Sequence, residues 1–142
     1  MIAPQSGSKT YAQAAAIPYR EYNDKLQILL ITSQSGQKWI IPKGLVEDDL
    51  TAKESAAMEA FEEAGVKGTI QSKVWGRYSY AKWDGVCHVA VYALKVEQEF
   101  EQYPEKELRE RQWMPAEEAV KQVQPQPLQE ILKRFVEAYS DE

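Results

Sequence analysis

An α/β (α+β) fold, in the form of an α/β/α sandwich with a mixed β-sheet between helical layers, is what this sequence predicts, and three observations carry it. Segments rich in strand formers and stretches with helical spacing follow one another as strand, strand, helix, strands, helices. The segment Val86 to Val96 is apolar at nearly every position, as in a strand covered on both faces. Finally, Leu128, Ile131, Leu132, Phe135 and Val136 recur at helical spacing, so the stretch Leu128 to Tyr139 should dock one face on the sheet.

The elements follow in order. Residues 1–10, with Pro4, Gly7 and several Ser and Thr, read as a flexible N-terminal arm, and residues 11–139 as a single domain. Tyr11 to Tyr19 and Leu26 to Ile31 look like a pair of strands joined by the polar turn Glu21-Tyr22-Asn23-Asp24. Trp39-Ile40-Ile41 continues as a strand until Pro42, which cannot donate to a ladder, and Gly44 is expected to open a loop. Thr51-Ala52-Lys53-Glu54 has the spacing of a capping box, so a helix should start there and end at Gly65, which adopts a left-handed cap without steric cost. Ile70 to Tyr80 and Val86 to Val96 are expected strands, the second of them central. Arg111 to Met114 should form a short strand, and Pro115-Ala116-Glu117-Glu118 a helix start.

Composition narrows the function. No stretch approaches the roughly 20 apolar residues of a membrane span, and Cys87 is the only cysteine. With no basic and apolar leader at its N-terminus, the chain is expected in the cytoplasm. The formal charge of -5 argues against nucleic acid as a partner, since that binding relies on a basic surface. A small phosphorylated substrate remains compatible, provided that a metal or clustered Lys and Arg face its phosphates.

The helix from Thr51 to Gly65 supplies such a place. At about 100° per residue, Glu59, Glu62 and Glu63 fall within one sector, with Ala57, Ala60, Phe61 and Ala64 across from them. The apolar set is expected to bury one side while the three carboxylates gather on the other. A solvated acidic face is the plainer alternative. Against it, like charges at these spacings each cost a helix roughly 0.2–0.5 kcal/mol, carboxylates at a C-terminal end meet the unfavourable pole of the dipole, and no Lys or Arg within the cluster offsets them. A bound Mg²⁺ would turn the repulsion into coordination.

The run from Gly44 to Val66 resembles the Nudix box. Gly44, Glu59, Glu62, Glu63, Gly65 and Val66 stand at matching positions, with Trp39 and Pro42-Lys43 before them and Trp113 with Glu117-Glu118 after. Two positions depart from the pattern: Leu50 stands where a glutamate is usual and Met58 where an arginine is usual. Loss of both removes an ion pair without stranding one charge, which leaves the fold safe and catalytic orientation in question. The resemblance implies a Nudix-like fold and Mg²⁺, or alternatively Mn²⁺, held by the Gly44 carbonyl, Glu59, Glu62 and Glu63. It further implies hydrolysis of a diphosphate linkage, with Glu59, Glu62 and Glu63 as the catalytic carboxylates. The chain looks most like the branch that hydrolyses diphosphoinositol polyphosphates and diadenosine polyphosphates. A non-catalytic Nudix-like module that binds a nucleotide or a protein partner is the alternative that Leu50 and Met58 raise.

Substrate contacts are expected from Lys43, Arg20, Arg77, Tyr80 and Lys82. Tyr78, Tyr80 and Trp83 could stack on a base or fill a sheet face. Glu105, Glu107 and Glu110 are read as solvated loop residues or as a source of one further carboxylate. His88, alone in an apolar strand, is expected to be a satisfied sheet residue.

Overall fold

The computed structural model describes residues 9–140, so residues 1–8 of the expected arm lie outside the described residues. Its elements are β1 (Thr10–Tyr22), β2 (Lys25–Thr32), β3 (Trp39–Ile40), β4 (Lys43–Leu45), α1 (Ala52–Ala64), β5 (Val66–Lys82), β6 (Gly85–Glu99), β7 (Arg111–Pro115), α2 (Ala116–Gln122) and α3 (Gln126–Ser140). The strands form one seven-stranded mixed sheet with the path β3-β2-β1-β6-β5, to which β7 adds by pairing with β2. Among the strand pairings of the described residues, β1 with β6 is parallel and the others are antiparallel. The β1–β2 hairpin turns through Asn23 and Asp24, both at positive φ, the conformation that a tight two-residue hairpin demands.

Strand β1 organises the sheet. One edge runs parallel to β6 from Thr10↔Val86 to Tyr19↔Lys95, while the other is shared between two partners. Tyr19 to Tyr22 pair with β2, whereas Gln13 to Ala15 pair with β4. The segment after Pro42 is therefore a strand, where a loop was expected. Pro42 lacks an amide donor, but its carbonyl accepts from the Ala16 amide at 3.0 Å and starts a new pairing with β1. Gly44 is thereby fixed opposite Ala14.

Side chains on β1 alternate between two cores. Ala14 and Ala16 face α1, meeting Ala56, Ala60 and Ala64, and these small residues let helix and sheet approach closely. Ala15, Ile17 and Tyr19 face the opposite layer, where α3 inserts Leu128, Ile131, Leu132, Phe135 and Val136. The amphipathic α3 is thus docked by the residues its periodicity singled out. Strand β6, expected at the centre, is interior but lies next to the edge strand β5; it separates the two cores, with Val89, Val91 and Ala93 on one side and Tyr92 and Leu94 on the other.

Helix α1 begins with the anticipated capping box: Thr51 Oγ1 accepts from the Glu54 amide, and the Glu54 carboxylate accepts from the Thr51 amide at 2.8 Å. Gly65 closes it with φ of 69°. No basic residue stands in the last turn, and Arg111 of β7 supplies the missing charge by donating to the Ala64 carbonyl at 2.9 Å.

Candidate active site

The buried side of α1 is not the one its apolar residues suggest. Ser55, Ala56, Glu59, Ala60, Glu63 and Ala64 are buried, while Ala57 and Phe61 stay partly exposed. Glu59 and Glu63, one turn apart, are each only 8% exposed. The reason lies in β4. It runs beside the helix at the fork of the sheet and presents a glycine to Glu59, and a methyl group on Gly44 would collide with the Glu59 carboxylate. The Lys43 amide donates to Glu63 Oε1 at 3.2 Å. The box glycine therefore serves close approach, at an ordinary negative φ.

Two buried carboxyls side by side cannot both hold full charge cheaply. Burial, with the adjacent Glu63 and Glu62 carboxylates, pushes the Glu59 carboxyl up to about 8. Burial also pushes Glu63 up, opposed by the Arg109 guanidinium and the Lys43 amide. Both carboxyls are therefore held above the ordinary glutamate range, mainly by burial. Glu62, the next step along the helix, is partly exposed.

The loop between β6 and β7 adds a residue that sequence reasoning missed. Arg109, with its side chain 9% exposed, pairs with Glu63 at 3.7 Å and with Glu105 at 3.0 Å. The charge that the helix lacks thus comes from more than 40 positions downstream. The Glu105-to-Arg109 spacing was the available signal, since residues four apart pair readily, but nothing local tied it to α1. Glu105 itself lies at the site, its amide donating to the Glu62 carbonyl at 2.9 Å. Glu107 and Glu110 are exposed.

On the face of the sheet away from α1, register places Tyr11, Cys87 and Tyr80 in one row and Gln13, Val89 and Tyr78 in the next. Lys43 sits opposite Ala15 on this face, its ammonium 5.0 Å from the Tyr80 ring centre. Burial and the nearby Lys82 ammonium lower the Lys43 pKa. The Tyr80 hydroxyl donates to Gln13 Oε1 at 2.7 Å, and burial keeps its proton in place up to about 12. Lys82 extends the same face, over the exposed Trp83 ring. Of the five expected substrate contacts, Lys43, Tyr80 and Lys82 are brought together.

Arg20 and Arg77 are not brought to this group. Arg77, in register with Ala90, points to the α1 side of the sheet. Arg20 stacks on Trp113 and Tyr22 and pairs with Glu99, near the far end of α1. Tyr78 is buried and fills the sheet face. His88 is satisfied by the Ser79 hydroxyl at 2.7 Å. Leu50 and Met58 line one cleft with Ala57, Phe61 and Leu94, rimmed by Glu54 and Lys67, so two apolar side chains stand where the box would have an ion pair.

Among the described residues, no three His, Cys, Asp or Glu side chains are gathered as a ready-made metal site. The donor chemistry nonetheless fits a hard divalent cation. Glu59 and Glu63 are oxygen donors held together without full neutralisation, beside the Gly44 backbone, and Glu62 follows on the same helix.

The architecture is a mixed sheet between helical layers, with buried carboxylates on the helix of one face and lysines on the opposite face. The NUDIX domain model matches residues 10–139, and the chain belongs to the Nudix domain family, as the box resemblance implied. It is 40% identical over 125 residues to Nudix hydrolase 16, mitochondrial, of Arabidopsis thaliana, covering 75% of this chain and 69% of that one. It is 30% identical over 114 residues to diphosphoinositol polyphosphate phosphohydrolase 3-beta of Bos taurus, covering 79% and 68%. Among solved structures, a C. elegans Ap4A hydrolase binary complex superposes with a TM-score of 0.74 at 20% identity, covering 93% and 99%, a likeness of fold. The chain spans 54% to 69% of the length of the first curated relatives it matches. No helix among the described residues is long and apolar enough to cross a membrane.

Proposed function

We propose that the protein is a Mg²⁺-dependent pyrophosphohydrolase that cleaves a diphosphate linkage in a nucleoside or inositol polyphosphate. The burial of Glu59 and Glu63 against Gly44, on the box helix of a Nudix domain, carries this reading. Gly44, Glu59, Glu62 and Glu63 are the residues that would hold the metal. Bound Mg²⁺, or Mn²⁺ in its place, would supply charge neutralisation at the diphosphate and a more acidic water as nucleophile. The protein's own part is to orient the substrate and to manage protons. Glu62, partly exposed beside the buried pair, serves as a further ligand or as the base that takes the proton from water. Lys43 and Lys82 supply cations for the phosphate chain, and Tyr80 forms the wall between them.

Two substrate types fit the branch, and the site favours a dinucleoside polyphosphate. A diphosphoinositol polyphosphate would require dense cations, whereas this face offers Lys43 and Lys82, with Lys9 already paired to Asp84, beside the rings of Tyr11, Tyr80 and Trp83. The cytoplasm is part of the same reading, supported by the single buried Cys87, although several Arabidopsis thaliana relatives are named mitochondrial.

The test is phosphate release from a panel of dinucleoside polyphosphates, diphosphoinositol phosphates and nucleoside triphosphates, with and without Mg²⁺. Turnover should require the metal, favour the dinucleotides and fall by at least about 100-fold in Glu63→Gln. Absence of metal-dependent turnover on every substrate, or full activity in the variant, would overturn the proposal. A ligand bound tightly with Mg²⁺ and recovered chemically unchanged would instead favour the non-catalytic module.

A further inference from the structure

Arg109 is the most constrained cation near the carboxylates. Its three guanidinium nitrogens meet three different acceptors. Nε donates to Glu105 Oε1 at 3.0 Å, Nη1 donates to the Thr32 carbonyl at 3.1 Å, and Nη2 pairs with Glu63 Oε2 at 3.7 Å. The segment carrying it is pinned on both sides, by the Glu105 amide on the Glu62 carbonyl at 2.9 Å and by the Glu110 amide on Thr32 Oγ1 at 2.9 Å. Strand β2, the β6–β7 loop and helix α1 thus converge on one planar group. A guanidinium can address three acceptors in fixed directions, whereas an ammonium acts as a point charge.

The box position that would carry an arginine holds Met58, which lines a cleft with Leu50 where the ammonium of Lys67 lies over the Phe61 ring. We infer that Arg109 is a positioning residue for this site: from the loop it holds Glu63 and Glu105 in mutual register, a guanidinium supplied from outside the box. Without it, Glu63 and Glu105 would face each other as like charges. Glu63 would lose its cationic partner while keeping the Lys43 amide. The inference rests on the hydrolase reading for its kinetic consequence, but not for its structural one.

Two variants test it. Arg109→Met keeps an unbranched stem and removes all three donors, and Arg109→Lys keeps the charge without the fork. Calorimetric titration with Mn²⁺ reads the site without turnover, and the direction of change is diagnostic. Deleting a positive charge near carboxylates would by itself tighten Mn²⁺ binding, whereas losing their register weakens it. We expect weakening by roughly 10-fold to 100-fold in Arg109→Met, the range found when a group supporting metal ligands is removed. Arg109→Lys should recover less than half of that loss. On the preferred substrate, kcat should fall within the same range while KM stays within about threefold. Unchanged or tighter Mn²⁺ binding in Arg109→Met, or full recovery with Arg109→Lys, would overturn the inference. If Arg109→Met does not fold, Arg109→Lys carries the test, and wild-type Mn²⁺ affinity and kcat in that variant would overturn it. A wild-type protein that binds Mn²⁺ yet turns nothing over would refute the hydrolase reading, while the affinities still decide the role of Arg109.

Discussion

Helices α1 and α3 cover opposite faces of one sheet and are built on opposite principles. Helix α3 buries Leu128, Ile131, Leu132, Phe135 and Val136 and leaves its charges in water. Phe135 alone meets Tyr19, Trp75 and Tyr139 at ring-centre distances between 5.0 and 6.0 Å. Helix α1 buries alanines together with Glu59 and Glu63, so part of its interface works against folding. It is kept in place by other means: a capping box at one end, a left-handed glycine and Arg111 at the other, and alanine contacts close enough to retain dispersion. One helix is built for stability and the other, on the proposed reading, for the chemistry it would carry, and variants of each should respond in opposite directions.

The largest effect is expected on α3. Phe135→Ala should destabilise the domain by about 3–5 kcal/mol, measured by chemical denaturation, because it leaves a cavity at the centre of an aromatic cluster. A loss below about 1 kcal/mol would mean that α3 is not the principal support of that face.

The response of α1 to pH is smaller and has a definite sign. The Glu59 carboxyl is raised from 4.5 to about 8 in the folded chain, so between these values the folded state binds a proton that the unfolded state has lost. Its contribution to stability is therefore full below pH 4.5 and disappears as pH rises towards 8. Metal-free protein should become less stable over that window, and Glu59→Gln should flatten the trend. A metal-free protein that gains stability steadily from pH 5 to 8 would show that Glu59 is charged in the folded state.

Much of this contrast was legible in the sequence, and the failures share a cause. The caps of α1, the docking residues of α3, the interior place of β6 and the box itself are local patterns, set by spacing along a few turns or one strand. The buried side of α1 was misjudged because hydrophobicity places glutamates outside, and only β4, pairing with β1 some 30 residues earlier in the chain, encloses them. Arg109 was overlooked for the same reason, as its partners Thr32 and Glu63 are brought to it by the sheet. Arg77 is separated from Tyr78 and Tyr80 by the period-two alternation of its own strand, which fixes the face once register is known. Arg20 was assigned from charge alone, and its aromatic neighbours Tyr22 and Trp113 give it a structural setting.

The central claim is that α1 holds carboxylates together against their repulsion so that a divalent metal can be bound between them. Thermal unfolding at pH 8, with and without Mg²⁺, of the wild type and of Glu59→Gln/Glu63→Gln tests it most directly. Without metal the double variant should melt at the higher temperature, and Mg²⁺ should raise the melting temperature of the wild type alone, since only a ligand that prefers the folded state stabilises it. A wild type indifferent to Mg²⁺, or an equal rise in both proteins, would contradict the account.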